Sequence, residues 1–338
     1  MISVIIPVHD SQDHLAQCLR FLAGSTFSPD EIIVVDDSSS DRSGEIAREA
    51  GAKVIRLDGG PHGPAVARNQ GARIATGEIL LFLDADVAVH RGTIERMAVT
   101  LGNHPEVAAV FGSYDHKPAA GTFVSRYRNL LHHFVHQHGR REANTFWAGC
   151  GAIRRTVFLS VNGFDERFRR PSIEDIELGG RLRAAGHRVW LCSDVLVRHM
   201  KMWTLASVVW SDVFDRAVPW TRLILQHGRL PSDLNTAMRS RVSAIAAWIL
   251  VLAPALALWT PLWLLATALA VATLGVLNAR LYRFFVGAGG IRFVLTAIVM
   301  HVLYLLYSSA VFAVLAGAAW FARQRQRVLA SPPARSAG

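Results

Sequence analysis

Cysteine is scarce: Cys18, Cys150 and Cys192 stand alone in 338 residues. They are too few and too far apart for a disulfide framework or a zinc site, so reduced thiols are expected. No Gly-x-Gly-x-x-Gly follows the first apolar run, where the turn reads Pro7-Val8-His9-Asp10, which argues against a dinucleotide-binding domain. Ile2–Ile6 is already strand-like and lacks a basic start and a cleavage site, so no signal peptide is expected. Arginine is scattered without any DNA- or RNA-binding signature, which sets nucleic acid aside despite a formal net charge of +10. Acid is missing from the end of the chain: residues 242–338 hold seven Lys and Arg and no Asp or Glu.

That last absence divides the chain. Residues 1–114 carry nine Lys and Arg against fifteen Asp and Glu, and residues 115–241 carry twenty against eleven. A basic stretch just ahead of very apolar sequence suits anionic lipid headgroups and phosphorylated substrates.

In the acidic third, apolar β-branched runs at Ser3–Ile6, Ile32–Val35 and Lys53–Leu57 read as strands. Helical patterns at His14–Leu22, Asp41–Ala50 (with Asp41 as N-cap) and Ala65–Ala75 separate them. Strands alternating with helices imply an α/β fold with a mostly parallel sheet. Ile79–Leu83 is apolar throughout, as a strand buried on both faces should be, and it ends in Asp84-Ala85-Asp86. Ligands of open α/β sheets sit beyond the carboxyl ends of the strands. Two hard oxygen ligands there suit a divalent cation shared with substrate phosphates. Asp36-Asp37 closes a second strand, where an acid can accept from ribose or base. The loop Gly59-Gly60-Pro61-His62-Gly63-Pro64 is expected to free backbone N–H groups for phosphate at a helix start. Together these features describe a nucleotide-diphosphate site.

Val4-Ile5-Ile6-Pro7-Val8, Val34-Val35-Asp36-Asp37-Ser38-Ser39-Ser40-Asp41 and Gly63 through Gly71 resemble successive signatures of family 2 glycosyltransferases of the GT-A fold. Gly77-Glu78, Leu83-Asp84-Ala85-Asp86, Gly149 through Arg155, Gly163 through Phe168 and Glu174 through Leu182 continue the series in order, covering roughly residues 2–200. His9-Asp10 departs from the family's Tyr-Asn. The resemblance implies a nucleotide-binding set of Pro7, Val8, Asp10, Asp37, Arg68, Asp84, Ala85 and Asp86, with Asp37 on the base and Arg68 fixing the nucleotide half. It also implies a divalent cation, Mg2+ or Mn2+, held by Asp84, Asp86 and the late His199.

An attacking acceptor must lose a proton, and Glu174, Asp175 and Glu177 offer bases at a helix start. By resemblance Asp175 is the base and Glu174 its support. A single base implies one in-line displacement and inversion, unlike the paired carboxyls of glycosidases. Trp147 with Gly149, Cys150 and Gly151 reads as an aromatic platform beside small residues that let a sugar approach, although Trp147 fits a core position equally well. His132, His133, His136 and His138 have metal-like density without matching acids, so an acceptor-side or membrane-surface helix is expected there.

Trp203, Trp210, Phe214 and Trp220 interleave with Lys201, Arg216, Arg222 and Arg229, a pattern for helices lying in the headgroup layer. Val242–Asn278 has no charge and is either one long span or two short ones turning at Trp259-Thr260-Pro261, since a span needs about 20 residues. Arg280, Arg283 and Arg292 mark a cytoplasmic loop. Ile291–Ala322 then either crosses once more or folds back around Ser308-Ser309. The expected organisation is a catalytic domain over residues 1–200, interfacial helices over 201–241, two to four spans over 242–322 and a disordered basic tail over 323–338. The expected activity is transfer from a nucleotide-diphosphate sugar to a lipid-linked or glycolipid hydroxyl at the inner membrane, with the catalytic domain in the cytoplasm. A polyprenyl-phosphate glycosyltransferase is the alternative, and a non-catalytic membrane scaffold the alternative of another class. The Gln-x-x-Arg-Trp motif of processive synthases is absent, with Arg216-Ala217-Val218-Pro219-Trp220 only a distant echo.

Overall fold

The computed structural model describes residues 1–227 and 238–330. β1 (Ile2–Val8), α1 (Gln12–Ala23), β2 (Glu31–Asp37), α2 (Ser43–Glu49), β3 (Lys53–Leu57), α3 (Pro64–Ile74) and β4 (Ile79–Leu83) alternate as the sequence implies. Next come β5 (Val87–Val89), α4 (Thr93–Asn103), β6 (Val107–Tyr114), α5 (Phe123–Gln137), β7 (Cys150–Arg154), α6 (Arg155–Ser160), α7 (Glu174–Ala184) and β8 (Arg188–His199). The chain continues through α8 (Leu205–Trp210), a π-helical segment (Ser211–Ala217), α9 (Val218–His227), α10 (Met238–Leu256), α11 (Leu262–Leu277) and α12 (Ala279–Ala330).

The eight strands form one sheet in the order β3-β2-β1-β4-β7-β6-β8-β5. The half from β3 to β4 is parallel. In the other half β7 runs antiparallel to both β4 and β6, and β5 antiparallel to β8. The sheet is thus parallel where the sequence shows it most clearly and mixed beyond. Side chains alternate across it with period two. Ile5, Ile33, Val35 and Phe82 enter one buried layer, while Val4, Ile6, Val34 and Leu81 enter the other. Each such buried aliphatic side chain contributes about 1.5–3 kcal/mol, which explains why β1, β2 and β4 read as unbroken apolar runs. Because β1 pairs with β2 on one side and β4 on the other, a crevice opens at their carboxyl ends.

Helices α10 and α11 pack on each other, with the intervening turn at 257–261, where Pro261 suggested one. Helix α12 breaks at Gly290 (φ 74°, ψ −175°). It does not fold back at Ser308-Ser309. There the Ser309 hydroxyl donates to the Leu305 and Leu306 carbonyls, at 2.6 and 3.1 Å, so the polar group is satisfied inside a continuing helix. The tail expected to be disordered from residue 323 is helical to Ala330, while residues 331–338, like Arg229, lie outside the described residues. Two stretches, Met238–Leu256 and Ala279–Gln326, are long and apolar enough to cross a membrane. Only 22% and 17% of their most apolar windows are buried, so neither is the core helix of a globular domain. Leu258, Leu262, Leu265 and Leu269 are among the side chains left bare, a contiguous apolar surface of the kind that marks an interaction with lipid or protein.

Candidate active site

The carboxyl ends of β1, β2 and β4 open into a cleft of about 2180 Å³ whose walls include Pro7, Val8, Asp37, Arg68, Asp84, Ala85, Asp86, Trp147, Glu174, Asp175 and His199. Residues far apart in the chain meet here for identifiable reasons. Strand pairing sets His199, the last residue of β8, opposite Val87, so His199 Nε2 comes 3.6 Å from Asp86 Oδ2. The Met200 N–H donates to the Asp86 carbonyl at 2.8 Å and fixes the same corner.

Arg68 joins the strand to the helix. Its Nη2 donates to Asp84 Oδ1 and its Nη1 to Glu174 Oε1, both at 2.7 Å, and its side chain is buried. The sequence reading set Arg68 against the nucleotide. Instead, both terminal nitrogens are engaged by carboxylates, and what Arg68 fixes directly is the joint between β4 and α7. Burial opposes its charge, but Asp84 and Glu174 hold the guanidinium firmly protonated. Burial raises the Asp84 carboxyl despite Arg68. Asp86 is held below the usual carboxylate range: burial works against this and is outweighed by His199 together with Lys201 and His14.

Asp175, in the first turn of α7, accepts the Ala148 N–H at 3.2 Å and its neighbour Ile176's N–H at 2.8 Å. Burial and then the charge of Glu174 push its carboxyl up to about 7. Solvent still reaches it through the cleft, since the side chain is only partly buried.

Three expectations change. The glycine loop does not present all its N–H groups to a ligand, because those of His62 and Gly63 donate to the Asp37 carboxylate at 2.8–2.9 Å. Asp10 lies off the cleft wall, its Oδ1 accepting from the Ser40 N–H and hydroxyl at 2.6 and 3.0 Å; His9 lines the cleft, its Nδ1 2.8 Å from the Asp37 carbonyl. Gly149, Cys150 and Gly151 are buried and do not line the cleft. The two glycines are small because the Trp147 ring lies on Gly149 and Phe146 lies on Gly151, while Cys150 pairs with Leu83 in the sheet.

Trp147 itself is half buried and walled by rings. Tyr114, His132 and His136 lie with ring centroids 4.8, 5.0 and 5.7 Å away, and Tyr114 stacks on His199 at 4.4 Å. His132 and His136 of α5 therefore form a wall of the cleft, whereas His133 does not line it. Burial pushes His132 well down and His136 to about 4, so both are neutral. On the metal question, Asp86 and His199 present an oxygen and a nitrogen on one rim, and Asp84 keeps a carboxylate oxygen beside Arg68. Among the described residues no three His, Cys, Asp or Glu side chains close around one point. An open donor set of this kind fits a hard divalent cation that takes its remaining ligands from substrate phosphate.

Sequence reasoning missed a second buried network on the far wall. Arg128 of α5 pairs with Asp212 of the π-helical segment at 2.7 Å, and the Tyr307 hydroxyl of α12 donates to Asp212 at 2.6 Å. The Ser172 hydroxyl, just ahead of α7, donates to the Asp215 carbonyl at 2.7 Å. The partners are too distant in the chain for any spacing rule to find.

A model of glycosyl transferase family 2 matches residues 3–161, and one for the N-terminal domain of galactosyltransferase matches residues 128–203. The glycosyltransferase AglE of Haloferax volcanii is 34% identical over 268 residues, which covers 74% of this chain and 80% of AglE. The probable glycosyltransferase YdaM of Bacillus subtilis is 28% identical over 65% of this chain, and the match spans only 54% of YdaM. Among solved structures, the mannosyltransferase PcManGT of Pyrobaculum calidifontis, in complex with GDP-Man and Mn2+, superposes with a TM-score of 0.58. That match has 19% identity and covers 92% of this chain and 86% of the other. The fold and the ordered strand-end motifs are those of a GT-A glycosyltransferase. The chain belongs to glycosyltransferase family 2.

Proposed function

We propose that this glycosyltransferase is inverting and metal-dependent, and that it moves a sugar from a nucleotide diphosphate to a hydroxyl of a lipid-linked or glycolipid acceptor at the membrane. The observation that carries this reading is the continuity of the cleft. The space walled by Asp84, Asp86 and Asp175 is also walled by Trp248, Tyr304 and Phe312 of the apolar helices. In this reading Pro7, Val8 and Asp37 hold the nucleoside, and Asp84 and Asp86 face the diphosphate with His199. When bound there, a divalent cation supplies Lewis-acid stabilisation of the departing diphosphate. The PcManGT complex with GDP-Man and Mn2+ supports both ligand classes.

Asp175 takes the acceptor's proton as its oxygen bonds to the anomeric carbon and the sugar–phosphate bond breaks on the opposite side. A base with its carboxyl near 7 is matched to that task at neutral pH. Trp147 supplies the face on which the acceptor or donor sugar rests. The domain limits near residues 200, 241 and 322, the inner-membrane location and the cytoplasmic placement of the catalytic domain belong to the same proposal.

The test is lipid mass spectrometry of cells carrying Asp175→Asn beside the parent protein, with nucleotide-sugar turnover by the full chain in nanodiscs. Turnover should vanish on chelation with EDTA and return with Mn2+ or Mg2+. An unchanged lipid profile in the variant would remove Asp175 from its role. Turnover indifferent to chelation would remove the metal.

A further inference from the structure

Four histidines lie at the end of α5, and one of them differs from the rest. His133, His136 and His138 each bring Nδ1 to a backbone carbonyl, those of Tyr114, Gly112 and Phe134, at 2.6, 3.1 and 2.9 Å. His132 has no hydrogen bond to any described residue, and its Nδ1 is sealed from solvent without a partner. Buried polar groups are bonded in the great majority of cases, so an orphan of this kind calls for a reason. The ring is not free to turn toward a partner. Tyr114, His136 and Trp147 hold it from three sides, with ring centroids 4.4, 4.0 and 5.0 Å away. A buried N–H without an acceptor is rarer than a bare acceptor, which puts the ring proton on Nε2, at the far edge of a side chain that lines the cleft. Burial, then His136 and Arg216, push the imidazole well below its usual range, so it donates there without carrying charge.

The place of this ring decides what it meets. On one side Tyr114 stacks on His199 at 4.4 Å, and His199 faces Asp86 at 3.6 Å, the rim assigned above to the diphosphate. On the other, Trp147 precedes Ala148, whose N–H holds Asp175 at 3.2 Å. The group that stands between a departing diphosphate and the base is the sugar being transferred. Aromatic walls with one fixed neutral donor suit a ring that carries C–H faces and hydroxyls. We propose that His132 hydrogen-bonds a hydroxyl of the transferred sugar and so selects which sugar the enzyme accepts. This rests on the donor and base assignments above and adds the residue that reads the sugar. An acceptor sugar offers the same hydroxyl chemistry, so the experiment separates the two.

Binding is measured by calorimetry on the full chain in nanodiscs with Mn2+ present. The probes are UDP-glucose, UDP-galactose, UDP-N-acetylglucosamine, GDP-glucose and GDP-mannose, with UDP and GDP as sugar-free references; no acceptor is added. The parent should bind one nucleotide sugar about tenfold or more tightly than its partner on the same nucleotide, as a site built to bond a particular hydroxyl does. His132→Phe keeps a ring in the stack and removes its polar atoms. It should bring the sugars on that nucleotide to a common affinity while UDP and GDP bind as before, which also shows that the variant is folded. His132→Gln returns an N–H and should recover part of the preference. A preference that survives His132→Phe overturns the proposal, and it assigns His132 to the acceptor if transfer to lipid falls in the same variant. A parallel loss of UDP or GDP affinity marks a structural role and overturns it as well. A parent that binds the nucleotides but shows no sugar preference overturns this proposal alone. If the parent binds none of the probes, the donor reading fails with it.

Discussion

The two walls of the cleft handle charge in opposite ways. On the strand side nearly every buried carboxylate is already engaged: Asp36 by Arg56, Asp37 by the His62 and Gly63 amides, Asp84 and Glu174 by Arg68. On the helix side Arg128 is anchored by Asp212, while Arg216 has no carboxylate within ion-pairing distance among the described residues. A wall whose charges are mutually satisfied is rigid before any ligand arrives, and this is how a site avoids reorganisation during the reaction. In the reading proposed above the strand wall is the donor half and the helix wall the acceptor half, and the variants below probe that division.

The largest effect is expected from Asp175→Asn, which should lower kcat by about 10²–10⁴-fold with little change in donor binding. In the parent, kcat should climb with pH through about 7 as the base ionises, and steady-state kinetics between pH 5 and 9 checks it. Next is Arg68→Met, which strands two carboxylates at the joint of β4 and α7. Breaking a buried pair costs about 3–5 kcal/mol, read as a lowered midpoint in denaturant. Asp37→Asn leaves the glycine loop one acceptor short and should cost about 1–2 kcal/mol, with a rise in nucleotide KM.

Asp175→Asn also has a smaller effect of opposite sign on stability. A carboxyl raised in the folded state binds its proton there more tightly than in the unfolded chain. The parent therefore loses stability as pH rises from about 4 to 7, and the loss persists above 7. The amide is free of that cost, so the variant should be more stable than the parent by ~1 kcal/mol at pH 8 and not at pH 4, a figure discounted because solvent reaches the group. Thermal unfolding at the two pH values checks the sign. Glu45→Ala, which removes an exposed partner of Arg42, should change nothing beyond about 0.5 kcal/mol.

What was legible in the sequence was local or periodic. β1, β2 and β4 announce themselves because burial on both faces demands unbroken apolar runs, and the acids that close β2 and β4 then fall on one rim by geometry. The helix start at Glu174-Asp175 was legible, and α7 does begin at Glu174; the roles given to Glu174, Asp175 and His199 came from resemblance, and all three line the cleft. The antiparallel return of β7 was not readable, because five residues that include a glycine carry no period. Nor was the close packing of the Trp147 ring on Gly149 and of Phe146 and the Trp147 carbonyl on Gly151. The Arg128–Asp212–Tyr307 network was invisible for a different reason: its members come from three helical segments, and only tertiary packing brings them together. The loop expected across Arg280–Arg292 is helix broken only at Gly290, and the fold-back weighed at Ser308-Ser309 is absent because the Ser309 hydroxyl bonds back to the helix.

The bond from Ser172 to the Asp215 carbonyl ties the loop before α7 to the segment that carries Arg216. Asp175 starts three residues beyond that tether, and Tyr307 of α12 grips the other end of the same segment through Asp212. Asp175 is therefore strung, through two hydrogen bonds and one short stretch of backbone, to an apolar helix whose tilt, in the membrane setting proposed above, would follow the thickness of the bilayer. Bilayers of different acyl length should alter kcat in the parent enzyme, and Tyr307→Phe should blunt that response.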